Sequence, residues 1–123
     1  MEGLGEAFGE AFTLTGTTSE KITLSINDLL FIETVGNYVK VCHLNGGQVR
    51  TDMLRATSKQ MEDELHNYPM IVRCHRAFLV NLAQVEKIVV KSGSMQLTIK
   101  HSHDSIPVSR SNVSHIKEVI KNV

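Results

Sequence analysis

The sequence predicts a mostly β fold with two small helices, and three observations lead to that prediction. Apolar and polar residues alternate with a period of two in several short stretches, the first of which is residues 21–26. Turn-forming residues separate these stretches, and Asn45-Gly46-Gly47 is a strong hairpin signal because Asn and Gly accept positive φ angles at low cost. From residue 21 onward, only two segments carry the apolar spacing of a helix. No pattern of a parallel α/β sheet or of a helix-turn-helix is visible, so the strands are expected to pair antiparallel.

The strands are predicted in chain order from residue 21 onward. After the first, an apolar and β-branched stretch ends at Gly36-Asn37, and alternation then resumes at Tyr38. The strands are expected at residues 21–26, 29–35, 38–44, 48–53, 85–90, 95–99 and 106–108. The last of these should lie at the edge of a sheet, because Pro107 has no N–H to donate to an interior ladder.

Two helices complete the predicted elements. Thr57 with Gln60 three residues later resembles a capping box, and Pro69 marks the far limit of the first helix. Ser109 or Ser111 is expected to cap the second helix. The apolar sides are expected to comprise Leu54, Met61 and Leu65 for the first helix, and Val113, Ile116, Ile120 and Val123 for the second.

Length and composition are those of an ordinary globular domain. A chain of 123 residues is most simply one domain, and its hydrophobic content of 41% and charged content of 21% are typical values. No apolar run approaches the length of a membrane span and no signal peptide is visible, so the chain is expected in the cytoplasm. Cys42 and Cys74 each lie in an apolar segment and are expected to be buried, reduced thiols rather than a disulfide.

Charge is distributed unevenly along the chain. The formal net charge is zero, yet four of the thirteen acidic residues precede residue 21, whereas all thirteen Lys and Arg lie at or after it. From residue 21 onward thirteen basic residues face nine acidic ones, a net charge of +4. This excess permits a DNA-binding face without requiring one.

The first residues have the composition of a tail. Residues 1–19 repeat Gly-Glu-Ala-Phe at 5–8 and 9–12 and then run into Thr, Gly and Ser, so this segment is expected to be a disordered tail or linker. The folded domain is then expected at residues 20–123. An alternative is the end of a preceding domain's helix, because apolar residues spaced four apart share one face of a helix. Those residues are Leu4, Phe8 and Phe12.

Catalytic and metal chemistry find little support in the sequence. His101 and His103 would share one face of a strand, but no further ligands occur at zinc-finger spacing, so no metal site is expected. Cys74 and His75 are sequence neighbours, which point to opposite faces of an extended chain. The carboxylates at residues 62–64 form a solvated helix face, and no phosphate-binding glycine motif is present. The chain is therefore not expected to be an enzyme, and no cofactor is expected.

Hydrogen-bond donors cluster in three stretches that lie where short strands end. Residues 73–81 are basic at the start, with Arg73, His75 and Arg76, and apolar afterwards, which predicts a basic end held out from the core. Residues 36–38 form a turn that carries an amide and a phenol. Residues 109–112 bring a guanidinium and three short polar groups to a helix start. Singly these are ordinary turns and caps, but together they suggest a surface for a negatively charged ligand.

The order of these segments resembles the LytTR DNA-binding domain of bacterial response regulators of the LytT/AgrA kind. The resemblance covers about residues 21–123 and rests on three ordered motifs. They are Ile26-x-Asp28-Leu29-Leu30-Phe31-Ile32-Glu33-x-x-Gly36-Asn37-Tyr38, then Arg73-Cys74-His75-Arg76-Ala77-Phe78-Leu79-Val80-Asn81 with Val85-Glu86-Lys87-Ile88 behind it, and Ile106-Pro107-Val108-Ser109-Arg110. It implies an elongated stack of antiparallel sheets that inserts loops, not a recognition helix, into successive major grooves of double-stranded DNA.

The resemblance also implies roles for particular residues. Asn37, Tyr38, Arg76 and Arg110 are the expected base-contacting residues. The residues expected to contact phosphate or support the loops are Lys40, His75, Ser109, Ser111 and Asn112. Serine is frequent in the family where this chain has Ala77, so Arg76 is left as the main donor of its loop.

Partners are implied in the same way. Such domains usually follow a receiver domain and bind paired direct repeats, with dimerisation supplied largely by that other domain. The isolated domain is therefore expected to be monomeric and to bind weakly. The alternative is a protein-interaction module that uses a strand edge or the basic loops to hold an acidic partner, without DNA.

Overall fold

The computed structural model describes residues 11–121, which contain ten strands, two α-helices and three short 3-10 helices. The strands are β1 (Ala11–Thr15), β2 (Lys21–Ser25), β3 (Leu29–Val35), β4 (Tyr38–Asn45), β5 (Gln48–Arg55), β6 (Ile71–His75), β7 (Phe78–Asn81), β8 (Val85–Lys91), β9 (Ser94–Ile99) and β10 (Ser105–Val108). The helices are α1 (Ser58–Glu64) and α2 (Val113–Lys121), and the 3-10 helices cover Ile26–Asp28, Leu82–Gln84 and Arg110–Asn112.

The strands form three antiparallel sheets. β1 and β2 make a hairpin, β10-β9-β8 make a three-stranded sheet, and β5-β4-β3-β7-β6 make a five-stranded sheet with β3 at its centre. The predicted fold class, mostly β with two helices, is confirmed. β10 lies at the edge of its sheet, as expected for a strand that contains Pro107.

The five-stranded sheet contributes to hydrophobic clusters on both of its faces. Leu30 and Phe31 of β3 pack with the three-stranded sheet and α2, whereas Leu29 and Ile32 pack with the β1–β2 hairpin and α1. All four side chains are buried. This double burial explains why β3 is a continuous apolar run in its first half rather than an alternating one. The sheet that carries the loops is therefore anchored from two sides.

Local signals place the turns and the first helix where they were predicted. The β4–β5 turn has positive φ angles at Gly46 (62°) and Gly47 (83°), a backbone that glycine adopts without strain. Thr57 caps α1: its hydroxyl accepts the Gln60 N–H, and the Gln60 side chain accepts the Thr57 N–H, which completes the capping box. Met61 of this helix is fully buried.

The structure differs from the sequence prediction at the N-terminal segment. β1 lies within the predicted tail and pairs with β2 from Ala11 opposite Ser25 to Thr15 opposite Lys21. Leu14 is fully buried, because pairing with β2 carries it into the cluster beneath α1. The cluster that buries Leu14 includes Met61, which is distant in sequence, and the residues around Leu14 are rich in Thr and Gly. The local sequence therefore did not indicate this strand.

Residues 16–19 of the predicted tail form the turn that connects β1 to β2, and residues 1–10, with Leu4 and Phe8 of the alternative helix, lie outside the described residues. Phe12, the last of the three apolar residues of that helix, lies in β1, and its ring centroid is 5.6 Å from that of Tyr68. Val123, expected on the apolar side of the second helix, also falls outside. Among residues 11–121, no helix is long and apolar enough to cross a membrane.

We expect Leu14→Ala to lower the free energy of unfolding by about 2–5 kcal/mol, because a buried leucine is lost and a cavity is left. Chemical denaturation of the purified protein measures this change. Val90→Ala is the matched control, since that side chain is 61% exposed and its truncation should change stability by less than about 0.5 kcal/mol. Equal effects of the two substitutions would show that β1 is not part of the stable fold.

Candidate nucleic-acid interface

Two of the three predicted loops lie at the same end of the strands of the five-stranded sheet. β3 ends at Val35, and the antiparallel strand β7 begins at Phe78, so the turn at residues 36–37 and the turn at residues 76–77 are neighbours. The Thr34 N–H donates to the Ala77 carbonyl over 2.8 Å, which joins the last residues of β3 to the turn at residues 76–77. We call this end of the sheet, with residues 109–112, the loop edge.

A β-bulge brings the third loop to the same place. Arg73 pairs with Leu79 and His75 pairs with Phe78, so Cys74 is the extra residue between them. The Cys74 carbonyl accepts the Ser109 N–H over 2.8 Å. This hydrogen bond holds residues 109–112 beside the turn that follows β6.

Arg76 and Arg110 are both exposed at this edge. Arg76 lies in the turn between β6 and β7, and Arg110 begins the 3-10 helix before α2. Within residues 11–121, neither guanidinium has a hydrogen-bond, ion-pair or aromatic partner. Each is therefore available to a ligand with paired acceptors, such as a phosphate or the edge of a guanine.

Asn37 and Tyr38 occupy the neighbouring turn. Gly36 has a φ of 60°, and Asn37 is exposed beside it. The Tyr38 ring is 40% exposed, and the guanidinium carbon of Arg55 lies 5.7 Å from the ring centroid. This contact is a cation–π interaction that places a cation beside the turn.

Sequence reasoning missed Arg55, although a signal for it existed. The two-residue turn after Asn45 sets the β4–β5 register, in which Asn45 pairs with Gln48. Counting outward from that pair places Arg55 opposite Tyr38, as the structure has it. Arg55 also lines a cleft of about 380 Å³ together with Thr17, Thr34, Gly36, Asn37, Ala56, Thr57, Ser58 and Gln60.

His75 is positioned by its own loop. Its Nδ1 accepts the Ala77 N–H over 3.1 Å, and its ring stands edge-on to Phe78 with centroids 5.8 Å apart. A ring nitrogen that accepts a hydrogen bond carries no proton, so a neutral His75 in this arrangement keeps its proton on Nε2. His75 can therefore donate one hydrogen bond away from the turn.

The polar groups around Arg110 hold one another. The Asn112 side-chain amide donates to the Ser109 hydroxyl over 2.6 Å, and that hydroxyl lies 3.4 Å from the Cys74 carbonyl, to which it donates. The Ser111 hydroxyl lies 3.5 Å from that of Ser109. Ser109, one of the two predicted caps, precedes the 3-10 helix Arg110–Asn112 without a side-chain cap hydrogen bond, and Ser111, the other, lies within that helix.

Lys40 and Arg73 are bound to carboxylates, unlike Arg76 and Arg110. Lys40 lies within β4, opposite Glu33 of β3, with its Nζ 3.1 Å from a carboxylate oxygen. Arg73 contacts Glu62 of α1 over 3.2 Å and also donates to main-chain carbonyls of the β6–β7 turn. The family resemblance named Arg76 and not Arg73 as a base-contacting residue, and that choice stays a prediction.

The described residues contain no group of three or more side chains arranged to hold a metal ion. His101 and His103 lie in the connection between β9 and β10, where both have positive φ angles, 71° and 60°. They are exposed, as expected for a hairpin end, but not on a strand. His103 lies 3.6 Å from Glu86.

The fold and the loop edge together define a β domain that presents cations and hydrogen-bonding groups on loops, a class that includes nucleic-acid-binding domains. The chain belongs to the LytTr DNA-binding domain family, whose sequence profile matches residues 19–121. The resemblance seen in the sequence motifs is thus confirmed. The family is one of DNA-binding domains.

Known relatives agree with this assignment. The chain is 32% identical over 77 residues to an uncharacterized response regulatory protein of Vibrio cholerae, covering 63% of this chain and 32% of the relative. It is 28% identical over 97 residues to the transcriptional regulatory protein BtsR of Salmonella typhi, covering 79% of this chain and 38% of the relative. The chain therefore spans about a third of the length of these relatives.

A solved structure shows the same fold. It is the LytTr DNA-binding domain of a putative methyl-accepting/DNA response regulator from Bacillus cereus, with a TM-score of 0.64 at 22% identity. The match covers 89% of this chain and 95% of the other.

The two cysteines are free thiols, as the sequence predicted. Burial raises the pKa of Cys42 to about 11 and that of Cys74 to about 12. A raised pKa keeps a thiol protonated at pH 8, and the thiolate is the reactive form.

At pH 8 we expect neither thiol to react with an aromatic disulfide reagent in the folded protein, and both to react in denaturant. Fast native reaction of one equivalent would contradict this burial.

Proposed function

We propose that this domain binds double-stranded DNA sequence-specifically by presenting the three loops of the loop edge to successive segments of the major groove. The observation that carries this proposal is the pair of exposed, unpartnered guanidinium groups, Arg76 and Arg110, on loops that the Ser109–Cys74 hydrogen bond holds side by side. Two guanidinium groups on neighbouring loops suit a ligand whose hydrogen-bond acceptors repeat along a line.

The four proposed base-reading residues have suitable chemistry. Arg76 and Arg110 each offer the planar fork that pairs with the O6 and N7 acceptors of guanine. Asn37 offers the donor and acceptor pair that adenine requires in the major groove. Tyr38 offers a hydroxyl and an exposed ring whose position is supported by Arg55.

The remaining residues are assigned to phosphate contacts and loop support. His75 and Ser111 are proposed to donate to phosphate oxygens, and Arg55 is added to them as a nearby cation. Ser109 and Asn112 are proposed to support the loop, because their side chains already bond each other. Lys40 remains a candidate for phosphate, since a half-exposed ion pair such as Lys40–Glu33 is weak enough to exchange partners.

The wider context follows from the relatives. We propose that the domain is the output part of a longer cytoplasmic response regulator of the two-component type, preceded by a receiver domain. Residues 1–10 would then belong to the connection between the two. Direct repeats as the operator, and a monomeric isolated domain, remain part of the same proposal.

We expect Arg76→Ala and Arg110→Ala each to weaken binding to a cognate duplex by about 1–3 kcal/mol, because each removes a pair of hydrogen bonds to a base. The cognate duplex is first selected from a random pool and mapped by footprinting. Affinity is then measured by fluorescence anisotropy, and both variants should keep the wild-type melting temperature.

Arg50→Ala is the matched control for this measurement. Arg50 is an exposed arginine near the β4–β5 turn, at the end of β5 away from Arg55. Its removal takes away the same charge but leaves the loop edge intact. Equal losses for Arg50→Ala and Arg76→Ala would mean that charge, not base recognition, explains the binding, and would reject the assignment.

A protein-interaction module remains the second candidate, favoured by one observation. β5 is an edge strand of the five-stranded sheet and exposes Val49 (39%) and Met53 (47%), which is a surface suited to an added strand.

Titration with duplex DNA at two salt concentrations separates DNA binding from protein binding. We expect the affinity to fall steeply with salt and to differ between sequences, because counterions leave the phosphates on binding. Indifference to DNA at both concentrations would favour the protein partner.

A further inference from the structure

We infer that Arg73 is a positioning residue for DNA recognition, which holds the β6–β7 turn in the conformation that presents Arg76. The inference rests on the proposed function and deepens it. It assigns Arg73 no contact with DNA. Instead, the residue links α1 to the recognition turn.

The Arg73 side chain uses all of its hydrogen-bonding capacity within the protein. Nη1 donates to the Arg76 carbonyl over 3.0 Å and to the His75 carbonyl over 3.5 Å. Nη2 donates to the Ser58 hydroxyl over 3.0 Å and to Glu62 over 3.2 Å, and Nε lies 3.4 Å from the same Glu62 oxygen. A guanidinium has five N–H groups, which these five contacts match.

The two carbonyl contacts constrain the residue that lies between them. The His75 carbonyl belongs to the peptide plane before the Arg76 Cα, and the Arg76 carbonyl belongs to the plane after it. Holding both planes fixes φ and ψ of Arg76, and these two angles set the direction of its Cα–Cβ bond. Arg73 therefore sets the direction in which the Arg76 side chain leaves the main chain.

The other end of Arg73 is attached to a fixed element. Ser58 and Glu62 are four residues apart and so lie on one face of α1. The helix itself is held by its capping box and by the fully buried Met61. The turn is thereby tied to the core through the helix, in addition to its own two strands.

Lysine cannot replace arginine in this arrangement. A lysine ammonium has three donors at one point, whereas the contacts of Arg73 diverge to a helix on one side and to a turn on the other. Without the contacts of Arg73, the Arg76 side chain would sample more directions, and DNA binding would then have to order it at a cost in affinity. That cost would fall on specific binding and not on nonspecific attraction to phosphates.

The test compares Arg73→Lys with wild type, and Arg50→Lys is the matched control at an exposed arginine. We expect Arg73→Lys to weaken cognate binding by about tenfold while leaving the salt dependence of nonspecific binding unchanged. Arg50→Lys should change neither. Hydrogen exchange by NMR should show faster exchange of the Ala77 amide in Arg73→Lys, because that amide bonds to His75 within the braced turn.

A double-mutant cycle separates positioning from general stabilisation. If Arg73 acts through Arg76, then Arg73→Lys should cost less than about twofold in the Arg76→Ala background, since the group it orients is absent. A cost that persists undiminished in that background would overturn the inference. So would a fall in melting temperature large enough to account for the lost binding.

The brace and the proposed function can fail separately. A wild-type domain that binds every duplex alike would reject sequence recognition, and with it any role of Arg73 in recognition. In that case the hydrogen-exchange rate of the Ala77 amide still tests whether Arg73 holds the β6–β7 turn. Unchanged exchange in both Arg73→Lys and Glu62→Gln would show that the turn does not depend on Arg73, whatever the domain binds.

Discussion

The arrangement of the loop edge depends on one hydrogen bond, from the Ser109 N–H to the Cys74 carbonyl. It joins the five-stranded sheet to the segment that follows the three-stranded sheet, at the position where both carry basic residues. The Cys74 carbonyl lies on β6, an edge strand of its sheet, at the bulged residue that has no partner in the regular pairing of β6 with β7. The hydrogen bond from the Ser109 N–H acts together with the Ser109 hydroxyl, which also donates to the Cys74 carbonyl, and with the cluster in which Cys74 packs with Val108, so that the loops of Arg76 and Arg110 are held beside each other.

Rigidity at the loop edge comes from burial beneath it. β3 packs on both faces, with Leu30 and Phe31 on one side and Leu29 and Ile32 on the other, so the central strand cannot shift without disturbing two cores. The turns at residues 36–37 and 76–77 both continue strands of this sheet. Short turns on such strands present side chains with little freedom to reorient, which lowers the cost of ordering them on a ligand.

The arginines at or near the loop edge have different surroundings. Arg73 is tied to Glu62 and to the turn carbonyls, Arg55 lies against Tyr38, and Arg76 and Arg110 are left exposed. A guanidinium that is fully bonded inside the protein stabilises geometry, whereas one without partners is free to bind a ligand. The difference lies entirely in the surroundings of each side chain.

The sequence by itself determined the elements that depend on neighbouring residues: the alternating strands, the glycine turn after Asn45, the Thr57–Gln60 capping box and the edge strand at Pro107. These follow from local backbone preferences and periodicity, which a short window contains. The family motifs also indicated which loops to examine. Only the tertiary structure decided that Leu14 of the predicted tail is core, that Cys74 forms a bulge and that Arg73 braces a turn. Leu14 and Arg73 depend on partners distant in the chain, such as Met61 and Glu62, and the bulged Cys74 accepts a hydrogen bond from the distant Ser109. The position of such partners is set by packing, not by local sequence.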